Sequence, residues 1–533
     1  MWHAVAPVRF HSLERAQLKK LEGTISTVLS LLRNGINSHA SIHSLPVEVL
    51  GMVFLLSLPS EDGDIRHSGC KDRPSIHLRA RIALTSVCQR WRQIALDMAA
   101  LWTVIDVPGP SAPAFVARSA NIPLQLFATY TPERAVGASI GEHAARVRDI
   151  ALNIPVAHRS SIPSHGPVFA FDAPALEFLS VTTCCRPFEE SRPTLDFDAP
   201  SAVFAGATPR LRMLVLSNTC WVPAVPCARL THLHLERGPP TPLIPLLAFL
   251  ARCPALTHLA VVDVYLSLAS AVPLDHAVAL PALRTLALGI NQPMLSMRRL
   301  LQYFVLPQDG LRMRVSGPYA LRALAGLQPF PALPFRCAFD RLEVDAGPGR
   351  LGLRAAGPGK EELVLELSEY RPADQKHAVA VAREMVRLEG VREWTFRGPA
   401  ACDGVVRALV ESVGEGAALR RFVYVDMPVR CGGVAKSAMP AVESGKVRAP
   451  SYVAAKVETM EEVEIWSPEE AVLAELGTEG VALSLKKVAI HYAGKKEVDV
   501  AQMRARLPGV ELSMCTEGCT PPRSTDEWDW FAW

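Results

Sequence analysis

The sequence predicts an α/β protein: a small all-α unit near the start, then a long solenoid of parallel β-strands joined by return helices. Three observations carry this expectation. Two apolar runs at helical spacing lie between residues 44 and 105. A short pattern, apolar at positions 1, 4 and 6, then recurs from Val147 to Leu507. Its copies mostly start 19 to 35 residues apart. Recurrence at such a period is the mark of an array in which each unit buries its apolar side against its neighbours.

The first element is a helix over roughly Ser12 to Arg33, where Leu18, Ile25 and Leu32 fall seven apart, as do Leu21 and Val28. Two heptads are short for a sustained coiled coil, and Gly23 weakens the run. The spacing therefore favours an amphipathic helix that packs on the helical unit or on its partner over one that dimerises. The second element opens at Leu45-Pro46 and continues through Val49, Leu50, Val53, Phe54 and Leu56. Proline suits the start of a helix, where its missing N–H has no intrahelical acceptor. Pro59 to Leu78, rich in Gly, Pro, Ser and Asp, reads as a surface loop. A second helix then places Leu84, Val87, Cys88, Trp91, Ile94, Ala95, Met98, Leu101 and Trp102 on one face, opposite Gln89, Arg90, Arg92, Gln93 and Asp97. Two short amphipathic helices have too little core to stand alone, so they need a partner.

LPVEVLGMVF and VCQRWRQIA, with the closing Leu101-Trp102, resemble an F-box, in particular the F-box-like domain of long, repeat-containing proteins of basidiomycete fungi. The resemblance covers about sixty residues, and its two halves occur in the family's order. The loop from Pro59 is longer than in the shortest members. The resemblance implies a helical domain that docks on a Skp-type adaptor, with Leu45, Pro46, Val49, Leu50, Val53 and Phe54 facing it from the first helix. Val87, Trp91 and Ile94 would face it from the second, and the rim charges Glu48 and Arg90 would tune specificity. Two ordinary core helices of a helical domain are the alternative.

The recurring pattern runs VRDIAL (from Val147), LEFLSV (Leu176), LRMLVL (Leu211), LTHLHL (Leu230), LTHLAV (Leu256) and LRTLAL (Leu283). Looser copies follow: FDRLEV (Phe339), VREWTF (Val391), LRRFVY (Leu419), MEEVEI (Met460), LKKVAI (Leu485) and LPGVEL (Leu507). GLRMRV near Leu311 is a degenerate one. The pattern is similar to the strand segment of a leucine-rich repeat, which implies leucines pointing into a shared core. Arg212, Thr231, His232 and His234 would alternate onto the solvent face. Return helices are expected within Pro242 to Leu259, ahead of a Cys-Pro break, and over Gln292 to Pro307. In regular repeats Asn or Cys stands three residues after the last strand leucine. Asn291 and Cys184 do so here, and Thr219, Gly238 and Val264 do not, so the array is irregular. A large mixed α/β domain is the alternative.

GPGRLGLRAAGPGKEE reads as a hairpin or long surface loop within a region, Pro348 to Lys496, of lower proline content. The tail carries Trp528, Trp530, Phe531 and Trp533 beside Asp526, Glu527 and Asp529. It reads as a segment covering an open end of the array, or else as an aromatic recognition motif. The expected organisation is 1–40 amphipathic helix, 41–107 F-box-like domain, 108–515 irregular leucine-rich solenoid and 516–533 tail.

A chain of 533 residues with 49% hydrophobic and 20% charged residues is a folded protein, not a disordered one. The net charge of +3 gives no general reason to expect a nucleic-acid or membrane partner. No apolar run reaches spanning length, the start lacks a secretory h-region, and the twelve cysteines are scattered. Cytosol or nucleus is the expected compartment, with reduced thiols.

Chemistry-bearing motifs are absent. GPGK at Gly357 to Lys360 has Glu361 where a phosphate loop needs Ser or Thr. Cys515 and Cys519 lack a second pair, and His232 with His234 lacks a third ligand. No enzyme, cofactor or metal is expected. The F-box resemblance implies a substrate-recognition subunit of an SCF-type ubiquitin ligase, linked through the Skp-type adaptor to cullin and RING subunits. The repeats would then bind a target protein. A scaffold that delivers no target for ubiquitination is the alternative, and a leucine-rich protein with a cryptic hydrolase activity a weaker one.

Overall fold

The computed structural model describes residues 14–58, 73–107, 109–129, 141–155, 172–184, 209–218, 227–237, 241–264, 266–267, 277–290, 300–307, 310–317, 319–320, 339–347, 350–358, 361–368, 386, 388–398, 403–413, 418–426, 460–466, 485–491 and 509–515. The fold is mixed α/β, with N-terminal helices and one large, open, mostly parallel sheet.

Helix α1 spans Arg15–Ser38, three residues later at its start and five longer at its end than the heptad spacing suggested. Gln17 Oε1 accepts the Glu14 N–H (3.1 Å), satisfying one of the amides a helix start leaves open. Helix α2 (Val47–Ser57) follows Pro46, and α3 covers Arg73–Ser86 with Pro74 in its first turn. The expected loop to Leu78 is therefore helical from Arg73; residues 59–72 lie outside the described residues.

The single second helix of the sequence reading is three pieces: the end of α3, α4 (Gln89–Asp97) and a 3-10 turn, Ala99–Trp102. Local side-chain hydrogen bonds cause the breaks. Thr85 and Ser86 hydroxyls both donate to Ile82 O (2.8 Å each), ending α3, and Cys88 Sγ caps α4 by accepting the Trp91 N–H at 3.4 Å. The apolar face survives both breaks. Leu84, Ile94, Ala95, Leu101 and Trp102 are buried together with Leu50 and Phe54 of α2, and the Trp102 indole donates to Ala95 O (2.8 Å).

This core runs without interruption into the sheet. Strand β1 (Val104–Val107) lies before the expected boundary at 107 yet pairs in parallel with β2 (Leu124–Thr129), across helix α5 (Ala112–Arg118). Phe115 of α5 packs edge-on against Trp102 at 4.9 Å, and the Arg118 guanidinium lies 5.0 Å over the same ring. The helical unit is thus fused to the first strand of the sheet.

The next strands are β3 (Val147–Pro155), β4 (Phe178–Cys184), β5 (Met213–Ser217), β6 (His232–Glu236), β7 (His258–Val262), β8 (Thr285–Gly289) and β9 (Arg312–Ser316). They stack in chain order, parallel, one leucine motif to each. After β9 the order inverts. Strands β10 (Arg341–Gly347), β11 (Arg350–Ala356) and β12 (Glu362–Ser368) form an antiparallel meander laid in backwards. β12 pairs with β9, and β10 pairs with β13 (Glu393–Gly398). The parallel run then resumes through β14 (Arg421–Asp426), β15 (Glu462–Trp466), β16 (Lys487–His491) and β17 (Glu511–Cys515). The hairpin reading of GPGRLGLRAAGPGKEE holds for β10 and β11; β12 was not anticipated.

One register serves the whole array. Leu214, Leu233, Leu259 and Leu286 are mutual partners, as are Leu216, Leu235, Val261 and Leu288, and all point inward. Each such side chain, fully buried, contributes roughly 1.5–3 kcal/mol. Every copy from VRDIAL to LKKVAI keeps this alignment. The final one does not: Leu512 and Met514 take the inward partners, so LPGVEL sits two residues out of step. In GLRMRV the inward residues are Met313 and Val315, with Leu311 just ahead of the strand.

Backbone hydrogen bonds hold the register. Before β4 to β7, β10 and β13 to β15, the carbonyl just ahead of the strand accepts two N–H groups from the parallel neighbour that follows it. Glu177 O takes those of Arg212 and Met213 (2.9 and 3.0 Å), and Arg420 O those of Glu461 and Glu462 (2.8 and 2.9 Å). At the far end, Asn218, Arg237 and Asp263 adopt left-handed φ values of 55°, 50° and 54° and donate to the following strand. The turn-forming position is thus one residue earlier than where Asn or Cys was sought. Helix α6 (Leu243–Ala251) is the expected return within Pro242 to Leu259, and α7 (Asp403–Val413) returns the chain between β13 and β14. Of the return predicted over Gln292 to Pro307, residues 300–302 are helical and Phe304–Val305 pairs with Val278–Ala279; 291–299 lie outside the described residues, as does the tail from 516.

Gly289 ends β8 against Val262, where an added Cβ would stand 2.6 Å from Val262 Cγ1. In β11 a Cβ on Gly352 would meet Asp345 Cβ at 3.5 Å, an ordinary contact. Gly289→Val is expected to destabilise the fold by about 1–3 kcal/mol, and Gly352→Ala to leave urea unfolding unchanged or slightly strengthened. Equal losses in both variants would refute the packing described.

Candidate functional site

Two surfaces deserve the name of candidate site, one on the helices and one on the sheet. On the helices, α4 packs across α2, with the Phe54 and Trp91 rings 4.8 Å apart. Arg90 ties the two together, donating to the carbonyls of His43 and Leu45, the latter at 2.8 Å. Of the residues implied as partner-facing, Leu50, Phe54 and Ile94 are fully buried in the chain's own core. Trp91, Leu45 and Val49 are half-buried, while Pro46, Val53 and Val87 are exposed. Glu48 is exposed as a rim charge would be, whereas Arg90 is occupied by backbone carbonyls.

The same surface exposes apolar side chains that the motif did not single out: Val47, Met52, Leu55, Leu56 and Ile82, with Leu56 at 85%. A signal was available. VEVLGMVFLL is apolar nearly all round, and a helix of that kind in a small unit has a second face to cover.

The outward face of the sheet divides in two. Over β3 to β8 its middle row is small or neutral, Ala151, Ser180, Val215, His234, Ala260 and Ala287, and all of these but Ala151 are buried. His232 and His258 stack here, rings 4.2 Å apart and 6° from parallel. Thr231 Oγ1 donates to Arg212 O (3.1 Å) and also lies in hydrogen-bond contact with His232 Nδ1 (2.8 Å). Thr257 treats His258 identically, at 2.9 Å to Thr231 O and 2.8 Å to Nδ1. The twin THL motifs thus hold both rings by the same contact. Burial, reinforced by Arg312, lowers the His258 pKa and favours the neutral ring. The sequence reading placed His232 and His234 together on the solvent side; both lie on this face, but His234 is buried in the tightly packed row, and the stacked neighbour of His232 is His258, from the next strand.

Over β9 to β17 the face is a lattice of alternating charge. Arg314 meets Glu366, and Arg354 meets Glu362. Arg397 reaches Glu343 at 3.2 Å and Asp345 at 3.9 Å. Arg421 gathers Glu393 (2.9 Å), Glu464 (2.6 Å) and Glu462 (3.6 Å). Burial lowers the Arg421 pKa, but the Glu464 hydrogen bond and the three carboxylates outweigh it and the pKa rises. Glu464 also accepts the Trp466 indole N–H (2.7 Å), and Trp466 stacks on His491 at 3.7 Å. These charges satisfy one another, an arrangement suited to holding strands in register.

Among the described residues no cluster of three or more His, Cys, Asp or Glu is placed to hold a metal, and no helix is long and apolar enough to cross a membrane. Cys515 ends β17; Cys519, Gly359 and Lys360 lie outside the described residues. Cys227 and Cys253 are buried at matching turns of successive motifs, each carbonyl accepting the N–H of the next motif leucine (2.9 and 3.1 Å). Burial pushes both thiols up, Cys253 to about 12 with Cys227 adding to the rise. Compared with protein-family models and with curated proteins, the sequence matches none.

Two outcomes follow from these environments. Iodoacetamide should leave Cys227 and Cys253 unmodified in the native protein and alkylate both after denaturation; peptide mass mapping reads this directly. Burial raises the Glu236 pKa, with Asp263 adding to it against Arg237 and Ser217. A carboxyl whose folded pKa lies above its unfolded value costs stability once ionised and recovers it as pH falls through the folded pKa. Glu236→Gln should therefore raise the urea midpoint at neutral pH, and that advantage should shrink on acidification. An advantage that grows with falling pH would contradict the assignment.

Proposed function

We propose that this chain is a substrate-recognition subunit of an SCF-type ubiquitin ligase, with α2 to α4 forming an F-box-like domain and the strand array an irregular leucine-rich solenoid. The single observation that carries the proposal is the number of exposed apolar side chains on the helical unit that holds the LPVEVL segment. Val47, Met52, Val53, Leu55, Leu56, Ile82 and Val87 remain open to solvent while Leu50, Phe54 and Ile94 complete the core beneath. Single exposed apolar residues are commonplace, but a set this size on a small helical unit marks an interaction surface.

In this reading the division of labour within the motif differs from a literal transfer of its residues. Leu50, Phe54 and Ile94 shape the helical unit, Trp91 bridges it, and Pro46, Val53 and Val87 meet the Skp-type adaptor with the apolar residues around them. The adaptor links to cullin and RING subunits in the cytosol or nucleus. The sheet's outward face then holds a target protein near a charged ubiquitin carrier, by proximity and with no bond chemistry of its own. The common register of the leucine motifs supports the solenoid part, since each unit then buries its leucines only against its neighbours.

The test uses the full chain. Wild-type protein should retain a fungal Skp-type adaptor in a pulldown, and Val53→Glu/Val87→Glu should weaken binding at least tenfold without moving the unfolding temperature. Leu50→Ala, in the core, should instead cost about 2–5 kcal/mol of stability. A folded wild-type chain that does not bind the adaptor would sink the proposal. Binding without any effect on the turnover of co-purifying proteins would favour a non-ligase scaffold.

A further inference from the structure

Helix α1 has no cover. Its 24 residues extend about 36 Å, and each side chain described from Glu14 to Ile36 is exposed. Yet Leu18, Leu21, Ile25, Val28, Leu32 and Ile36 fall on one stripe within an arc of about 100°, with Ile25 48% and Ile36 72% exposed. Packing of this stripe onto the helical unit, expected from the heptads, does not occur among the described residues. An isolated helix of this length is marginal in water, and Gly23 and Gly35 each weaken it by about 1 kcal/mol relative to alanine.

We infer that the stripe is covered by α1 of a second copy of this chain, running antiparallel. Charge selects the occupant and its direction. Glu22 and Arg33 lie on the same flank of the stripe, about 70–90° from its centre. In an antiparallel pair that flank faces its own counterpart. With the two-fold axis between Ser26 and Thr27, Glu22 of one copy stands within about 3 Å, along the helix axis, of Arg33 of the other, twice. The apolar layers close about the same two-fold axis: Leu21 opposite Leu32, Ile25 opposite Val28, and Leu18 opposite Gly35 with Ile36 beside it. A parallel pair would face this flank with Gln17, Thr24 and Leu31, which carry no charge to meet Glu22 or Arg33. The inference stands apart from the ligase proposal, since it requires neither the adaptor nor a target.

Light scattering of the full chain across concentrations is the test. The mass should approach twice 57.9 kDa. Ile25→Glu should weaken association at least tenfold while leaving the unfolding temperature unchanged at dilutions where the chain is monomeric, because Ile25 is 48% exposed there. Glu22→Arg and Arg33→Glu should each weaken the dimer, and the two together in one chain should restore it. That rescue is specific to the antiparallel register and cannot arise from a folding defect. A wild-type chain that stays monomeric, or a dimer indifferent to Ile25→Glu, would overturn the inference. So would single charge variants without effect, or a monomer whose stripe captures a different protein.

Discussion

The carbonyl immediately before each strand is the constraint on which the rest depends. At most junctions it accepts two N–H groups from the parallel neighbour that follows, and at β8, β9 and β16 one, so one strand's start fixes the next one's start. Parallel pairing alone leaves register free to slip, and a slip of one would send every leucine to solvent. The repeated geometry prevents this from β3 to β16 across copies as unlike as LTHLHL and VREWTF. It tolerates Trp394 and Phe396 where other copies have leucine because only the direction of the side chain, not its identity, is imposed.

With register set, the outward rows become legible as surfaces. The inverted meander brings together strands remote in sequence, β12 against β9 and β10 against β13. Ion pairs cross each of these seams: Arg314 with Glu366 at the first, Arg397 with Glu343 and Arg341 with Glu393 at the second. Half-exposed pairs of this kind contribute little net stability, but a mismatched seam would set like charges together or leave Arg397, nearly buried, without a counter-charge. The lattice is better understood as specifying which strands pair than as strengthening them. The neutral half of the face instead carries a row that is buried from Ser180 to Ala287, beside the stack of His232 on His258.

At the other end, the helical unit borrows its core from the sheet. Trp102 is held by Ala95 O, Phe115 and Arg118, so α4 and the first strand cannot separate without exposing it. That attachment gives α2 a fixed base, while Val47, Met52, Val53, Leu55 and Leu56 stay exposed. The exposed stripe of α1 lies just ahead of this surface in the chain, and the two are independent demands for cover.

Much of the fold was written in local pattern. The 1-4-6 spacing determined which residues point inward in every motif from Val147 to Leu485, because strand geometry alternates side chains whatever surrounds them. The same local logic located α2, α4, α6 and the left-handed turn region, although not its residue, since Asn218, Arg237 and Asp263 share no side-chain type. Tertiary structure alone decided the rest. Whether Leu50, Phe54 and Ile94 form core or surface depends on what stands opposite them, and helical periodicity reports only that they share a side. The order β9-β12-β11-β10-β13, the Arg314–Glu366 pair 52 residues apart and the stack of His232 on His258 depend on which strands become neighbours. That choice is made by the summed packing and charge of distant segments, which no local spacing encodes.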